Sequence, residues 1–219
     1  MTPHILIAIP LSSDGRPHPR TLESVARLMR MGAPWDEIKC RRFGPTHVAR
    51  ERIGEYALRE WFTDVLWVDS DIAFEPEDAI RLIEHEVDLV SGVYVTAEPE
   101  PIPSARALQD GRHVPVLGQG MQRILYSGLG FTLMSAEVLR RIPSPWFEHI
   151  YEDYKLGEQV ERHGFTWWGD FDVRVRHQGD REYTVEDAER VMWRAPLPGV
   201  LPVGTEWIGG ARDTVPRFA

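Results

Sequence analysis

The sequence predicts an α/β protein with a mainly parallel central sheet. Continuous apolar runs at residues 5–9 and 65–68 are typical of strands that are covered on both faces. Segments with apolar residues at helical spacing follow these runs, so that strands and helices alternate over the first 95 residues. Two aspartates come directly after the second run, at the strand end where open α/β sheets bind ligands.

The elements of the first half are each supported by local signals. Thr21 is a suitable cap for the first helix, and Gly32 ends that helix. Thr46 opens the second helix, and Pro76 stands at the first position of the third, which runs to residue 84. The strands of this half are predicted at residues 5–9, 38–43, 65–68 and 89–95.

The second half is less regular. Residues 96–119 are rich in Pro and Gly, with a turn expected at Asp110-Gly111. Thr184 and Asp187 resemble a capping box for a last helix that runs to residue 193. We therefore expect one domain over residues 1–180, with a C-terminal helix and a Pro/Gly-rich tail, residues 181–219, packing on it. Further strands are predicted at residues 122–126, 131–134, 167–168 and 173–177, and further helices at residues 136–141 and 152–163.

Composition narrows the possible partners. The 219 residues include 34 acidic and 25 basic side chains, and the net charge of −9 argues against a general basic surface for nucleic acid or anionic membrane. A local basic surface stays possible. Cys40 is the only cysteine, which excludes an intrachain disulfide. No apolar run is long enough to span a membrane and no signal peptide is evident, so we expect a soluble, cytoplasmic protein.

Asp69 and Asp71 carry the first functional signal. Alternate residues of an extended segment point to one side, and two carboxylates there favour a hard divalent cation between them. Two chemistries use this arrangement. One is transfer from a nucleotide sugar, in which the cation bridges the diphosphate. The other is a haloacid-dehalogenase-like phosphatase with Asp69 as the nucleophile, but that pattern needs a Thr soon after the second Asp and a later Lys. Here Ile-Ala-Phe follows, and Lys155 is the only later lysine.

Further motifs follow in a fixed order. They are Val48-Ala49-Arg50, the aspartate pair, Gly128-Leu129-Gly130-Phe131, Tyr151-Glu152-Asp153-Tyr154, and a late strand that ends at His177. Together they resemble the GT-A glycosyltransferases, most of all the small single-domain bacterial and phage members of the family 2 type. The resemblance covers roughly residues 4–180. It implies a GT-A, Rossmann-like fold with a mixed, mainly parallel sheet flanked by helices.

The resemblance also implies a metal site. Asp71 would bind the cation directly with Asp69 beside it, and His177 would supply a third ligand. A nitrogen ligand among carboxylates favours Mn²⁺ over Mg²⁺. The cation would neutralise the diphosphate as the bond between sugar and phosphate breaks. The expected donor is a UDP- or GDP-sugar.

The donor and the catalytic base have matching positions as well. Pro10 and Leu11 match the loop around the nucleotide base, and Arg50 matches a basic residue that faces the diphosphate. Asp153, with Glu152 second, matches the base that an inverting transfer needs near the acceptor hydroxyl. Asp153 could instead only cap its helix, and a retaining enzyme would not need such a base. The remaining donor-binding positions are Asp69, Ser70, Asp71, Gly128 and Gly130.

The acceptor is left open by the sequence. A small soluble molecule, a glycan and a hydroxymethylated base of phage DNA are all compatible with a small stand-alone domain. A DNA acceptor would require a local basic stripe, and the candidate residues for one are Arg162, Arg174, Arg176 and Arg181. A third alternative is a binding protein that keeps the fold but has no activity. The presence of Asp69, Asp71, Asp153 and His177 argues against it.

Overall fold

The computed structural model describes residues 3–11, 15–32, 34–42, 44–149 and 151–194. Within these ranges the central sheet has seven strands in the order β2-β1-β3-β9-β5-β10-β8. Strands β2, β1, β3, β5 and β10 run parallel, and β9 and β8 run antiparallel to them. The predicted mixed, mainly parallel sheet is therefore confirmed. The elements are β1 (Ile5–Leu11), α1 (Pro19–Met29), β2 (Trp35–Arg42), α2 (Thr46–Arg59), β3 (Asp64–Val68), β4 (Ile72–Ala73), α3 (Pro76–Glu84), β5 (Leu89–Gly92), β6 (Arg106–Gln109), β7 (Arg112–Pro115), β8 (Met121–Ile124), β9 (Phe131–Ser135), α4 (Ala136–Arg141), α5 (Glu152–Arg162), β10 (Trp167–Asp170), β11 (Arg176–Gln178), β12 (Glu182–Tyr183) and α6 (Val185–Arg194).

The central strands are apolar throughout because helices cover both faces of the sheet. Along β1, Leu6 and Ala8 pack into one core cluster, and Ile5, Ile7 and Ile9 pack into the other. Helices α2, α4 and α5 contribute to the first cluster, and α1 and α3 contribute to the second. This layering leaves the ends of the strands as the place where polar side chains can gather. No helix in the described part of the chain has the length and apolar content needed to cross a bilayer.

Several predicted boundaries agree with the structure and others do not. Helix α3 has the predicted bounds, and a capping box between Glu75 and Asp78 starts it. The prediction of Thr21 as a cap is wrong. Pro19 occupies the first turn of α1, and His18 is the cap, with Nδ1 accepting a hydrogen bond from the Arg20 amide at 3.2 Å.

Two later strands are shorter than predicted. Strand β5 ends at Gly92 rather than at residue 95, and β11 begins at Arg176 rather than at residue 173. The start of α6 agrees with the predicted capping box, because the Asp187 carboxylate accepts a hydrogen bond from the Thr184 amide at 3.0 Å. The end of the predicted tail, residues 195–219, lies outside the described residues.

The described part of the chain also forms two small sheets. Asp110 and Gly111 both have positive φ and form the tight turn of the hairpin β6–β7, so the predicted turn is confirmed while its two strands were not predicted. Strands β4 and β11 pair antiparallel, with His177 opposite Ile72. The second pairing brings the late histidine next to the aspartate turn.

Candidate active site

The aspartate turn after β3 is held in place by backbone hydrogen bonds on each side. The Asp69 amide donates to the Gly130 carbonyl at 2.9 Å, and the Gln178 amide donates to the Asp71 carbonyl at 2.8 Å. The Ser70 carbonyl accepts hydrogen bonds from the His18 amide at 2.6 Å and from the Thr21 hydroxyl at 3.1 Å. The turn is thus tied to β9, β11 and α1, which fixes the direction of its carboxylates.

Asp71 and His177 form a close pair at this edge. Nε2 of His177 lies 3.3 Å from Oδ2 of Asp71, and Nδ1–H donates to the Val95 carbonyl at 2.8 Å. Burial acts to lower the pKa of His177, but the contacts with Asp71 and the Val95 carbonyl outweigh it and raise the pKa. The predicted metal residues Asp71 and His177 are therefore brought together.

Asp69 has a different partner. Arg50, whose side chain is only 4% exposed, contacts Oδ1 of Asp69 through Nη2 at 2.5 Å and contacts Glu152 through Nη1. A buried guanidinium between two carboxylates compensates their charge. Arg50 therefore lies between acidic side chains, and within the residues described no group of three side chains is positioned to hold a metal ion without rearrangement.

Asp153 lies within the first turn of α5. The cap of this helix is Tyr151, with φ of 58°, so capping is not the role of Asp153. Burial raises the pKa of the Asp153 carboxyl to about 6, while Arg50 and Arg106 oppose the rise and Asp69 adds to it. A half-buried carboxyl with this pKa is suited to accept a proton near neutral pH.

Gly128 and Gly130 make room for Tyr94. A Cβ at Gly130 would lie 2.7 Å from the Tyr94 hydroxyl and 2.9 Å from Oδ2 of Asp69, and a Cβ at Gly128 would also collide with the hydroxyl. The hydroxyl accepts a hydrogen bond from the Gly130 amide at 3.2 Å. The glycines thus allow a buried tyrosine to pack beside the aspartate turn. The sequence predicted donor binding at these glycines and did not predict the contact with Tyr94.

The residues that the resemblance matches to the nucleotide-base loop come at the end of β1. Pro10 and Leu11 end β1 at the same edge as the aspartate turn, and both are buried. Residues 12–14, which follow them, lie outside the described residues. Position alone connects Pro10 and Leu11 to a donor.

The arginine stripe considered for DNA is compensated by acids. Arg176 contacts Glu75 at 2.9 Å and Glu182 at 3.7 Å, and Arg181 contacts Asp187 at 3.1 Å. Arg174 lies 3.7 Å from Glu186 and precedes β11, so it does not share a strand face with Arg176. These pairs leave little unbalanced positive charge for a polyanion.

One side chain of the site was not found from the sequence. Arg106, on β6, lies close enough to Asp153 to oppose the rise in the pKa of that carboxyl, and Tyr126, Asp153 and Tyr94 act to raise the pKa of Arg106, which burial lowers overall. It stands in a Pro/Gly-rich segment without a motif. Its only sequence signal is a position four residues before the Asp110-Gly111 turn, where a hairpin strand would place it.

Comparison with known proteins gives a fold but no close relative. No protein-family model matches the chain, and no characterised protein sequence matches it. The solved structure of A197 from STIV matches with a TM-score of 0.58 and 19% identity, covering 81% of this chain and 86% of that one. This overlap supports the predicted topology. The chain has a GT-A-like fold.

Two other solved structures overlap more loosely. The inositol-1-phosphate CTP transferase from T. maritima matches with a TM-score of 0.44 and 13% identity, covering 79% of this chain and 91% of that one. A glycosyltransferase involved in glycosylation of the major capsid of PBCV-1 matches with a TM-score of 0.41 and 14% identity, covering 86% of this chain and 99% of that one. The fold assignment does not rest on either of them.

Proposed function

We propose that this protein is a metal-dependent glycosyltransferase that moves a sugar from a nucleotide-diphosphate sugar to an acceptor hydroxyl. One observation carries the proposal. At the ligand-binding edge of a GT-A-like sheet, one turn carries Asp69 and the Asp71–His177 pair, and Asp69 lies close enough to the Asp153 carboxyl to help raise its pKa to about 6. Such an edge combines a place for an anionic donor with a base for the acceptor.

The residues present fit a divalent cation. Because Nδ1–H of His177 donates to a backbone carbonyl, the lone pair of the neutral ring at Nε2 faces the Asp71 carboxylate, and two acceptors at 3.3 Å need a proton or a cation between them. An imidazole anchored through its other nitrogen is typical of metal-binding histidines. Asp71 and His177, with Asp69 beside them, would hold Mn²⁺, or Mg²⁺ as the alternative. When bound, the cation neutralises charge on the diphosphate leaving group.

The chain's own residues account for the acceptor side of an inverting transfer. The Asp153 carboxylate accepts the proton of the acceptor hydroxyl while the hydroxyl oxygen bonds to the anomeric carbon of the donor. The bond between that carbon and the diphosphate oxygen breaks, and its electron pair leaves with the nucleoside diphosphate. Arg50 positions the two halves of the site, because it ties Asp69 on the turn to Glu152 next to the base.

The donor is proposed to be a UDP- or GDP-sugar whose base lies near Pro10 and Leu11. The phosphatase alternative gains no support. The lysine that it requires would have to be Lys155, and Nζ of Lys155 lies 3.7 Å from Glu158 on its own helix. Asp69, the residue that would act as nucleophile, is held by Arg50.

The test is an activity assay with Mn²⁺ and a panel of UDP- and GDP-sugars. Wild-type protein is expected to release nucleoside diphosphate, and Asp71→Asn and His177→Ala are expected to lose at least about 100-fold of that activity. Asp36→Asn is the matched control, because Asp36 is as exposed as Asp71 (43% and 45%) but pairs with His4 near the start of β1. Release of inorganic phosphate from simple phosphoesters, or full activity of Asp71→Asn, would contradict the proposal.

A further inference from the structure

An aromatic patch lies beside the candidate base. It consists of His113 on β7, Tyr126 just after β8, and Tyr154 on α5, with ring centroids 5.0–5.8 Å apart. All three side chains are partly exposed. Tyr154 directly follows Asp153 on α5, and the charge of Asp153 raises the pKa of Tyr126, to which burial contributes most. Rings of this kind offer apolar surface to the C–H faces of a sugar.

Arg106 adds a positive charge to the same surface. It is tied to Tyr126, because its amide donates to the Tyr126 carbonyl at 2.8 Å. Its guanidinium donates to the carbonyls of Pro103 and Ala105. Among the described residues no carboxylate lies within ion-pair distance of it, whereas Arg50 has two. Burial lowers the pKa of Arg106, because the charged form is held away from water without a carboxylate partner among the described residues.

Asp153 lies between Arg106 and the aspartate turn in its electrostatic interactions. The carboxyl is influenced by Asp69, on the aspartate turn, and by Arg106, on the hairpin. Asp71 and His177 come from the turn and β11, whereas Arg106 and the aromatic patch come from β6, β7, the end of β8 and α5. A molecule bound on the patch would therefore reach the base from elements other than those that carry Asp71 and His177.

We propose that the acceptor is a sugar that carries an anionic substituent, a carboxylate or a phosphate, bound by Arg106 while its ring lies on the aromatic patch. The role of this sugar as the acceptor rests on the proposed function, but its binding to the protein needs no donor. A partly buried guanidinium without a carboxylate partner gains most from an anion, which it can bind through two parallel hydrogen bonds. The patch supplies the apolar contact that orients the sugar ring.

Duplex DNA fits these observations less well. A polyanion is bound by several cations in a row, and three of the four arginines considered for such a stripe are paired with carboxylates. The net charge of −9 also disfavours the binding of a polyanion. One arginine that has no carboxylate partner among the described residues, next to three rings, suits a single charged sugar.

Ligand-observed NMR titration at pH 7.5, without donor, tests the proposal. The probes are methyl glucuronide and glucose 6-phosphate, with neutral methyl glucoside for comparison. We expect the charged sugars to bind wild-type protein at least about tenfold more tightly than the neutral one. Arg106→Gln should reduce this ratio to less than about twofold, and Arg106→Lys should keep part of it. Arg112→Gln is the matched control, an exposed arginine on the same hairpin, and should behave as wild type.

Three results would overturn the inference. The first is equally tight binding of charged and neutral sugars to wild-type protein. The second is an Arg106→Gln variant that keeps its preference for charged sugars but loses the binding of nucleoside diphosphate. The third is displacement of the charged sugars by a duplex DNA oligonucleotide. The proposed function fails in a different way. If no nucleotide sugar is turned over while charge-selective sugar binding persists, the transferase proposal is contradicted and the binding site stands.

Discussion

Replacing Arg50 by Gln removes the positive charge between Asp69 and Glu152. The side chain of Arg50 is 4% exposed, and those of its partners are 28% and 21% exposed. Loss of one member of a fully buried ion pair costs about 3–5 kcal/mol, because the remaining charge stays without compensation. Partial exposure lets water reach the two carboxylates, so we expect the lower end, about 3 kcal/mol. For a domain of this size that corresponds to a fall in Tm of about 6–12 °C.

Urea unfolding at pH 7 measures this effect directly. Arg52→Gln is the matched control, since Arg52 lies on the same helix but is 60% exposed and pairs with Glu55, itself 46% exposed. Its loss should cost less than about 0.5 kcal/mol. If Arg50→Gln unfolds within about 1 kcal/mol of wild type, the argument that Arg50 holds the turn and α5 together is refuted.

Three further predictions concern the base, the glycine pair and a second buried carboxylate. The rate of transfer should rise with pH through a midpoint near 6, since Asp153 must be deprotonated to accept a proton, and Asp153→Asn should lose transfer while keeping donor binding; a flat profile between pH 5 and 8 would argue against this base. Gly130→Ala should lower stability by about 1–3 kcal/mol in thermal unfolding, because its Cβ would lie 2.7 Å from the Tyr94 hydroxyl, and an unchanged Tm would contradict that packing. Asp170→Asn should cost about 2–3 kcal/mol at pH 7, because Asp170 is fully buried and bonded to Arg81 at 2.6 Å. Burial acts to raise the pKa of Asp170, but its hydrogen bonds lower it overall; the contribution is therefore present above about pH 4 and is lost as pH falls, so a difference between variant and wild type that persists at pH 2–3 would count against it.

Local patterns in the sequence were sufficient for most of the main sheet. The apolar runs of β1 and β3 are continuous because both faces of these strands are covered, and α3 starts where Pro76 indicates. The start of α1 was missed because Pro19 could take the first turn and leave Thr21 inside the helix. Pro19 and Thr21 are both signals for the start of a helix, and the packing of the helix decides between them. That packing cannot be read from the local pattern.

The candidate site depends on contacts between distant parts of the chain. Asp69 and Asp71 are identifiable from their place after a buried strand, but the contact of Arg50 with Glu152 joins residues 102 positions apart. No periodicity encodes such a pairing. The approach of His177 to Asp71 likewise depends on the pairing of β11 with the two-residue strand β4, which is too short to be recognised by pattern. Resemblance to a family suggested His177, and topology explains its position.

The central claim is that Asp71 and His177 hold a cation that binds the diphosphate of a donor. Calorimetric titration of UDP and GDP into the protein, with and without Mn²⁺, tests it without requiring an acceptor. The account predicts binding that depends on Mn²⁺ in wild type and in Asp36→Asn, and that falls at least about 30-fold in Asp71→Asn. Binding that is equally tight without the metal, or unchanged in Asp71→Asn, would contradict it.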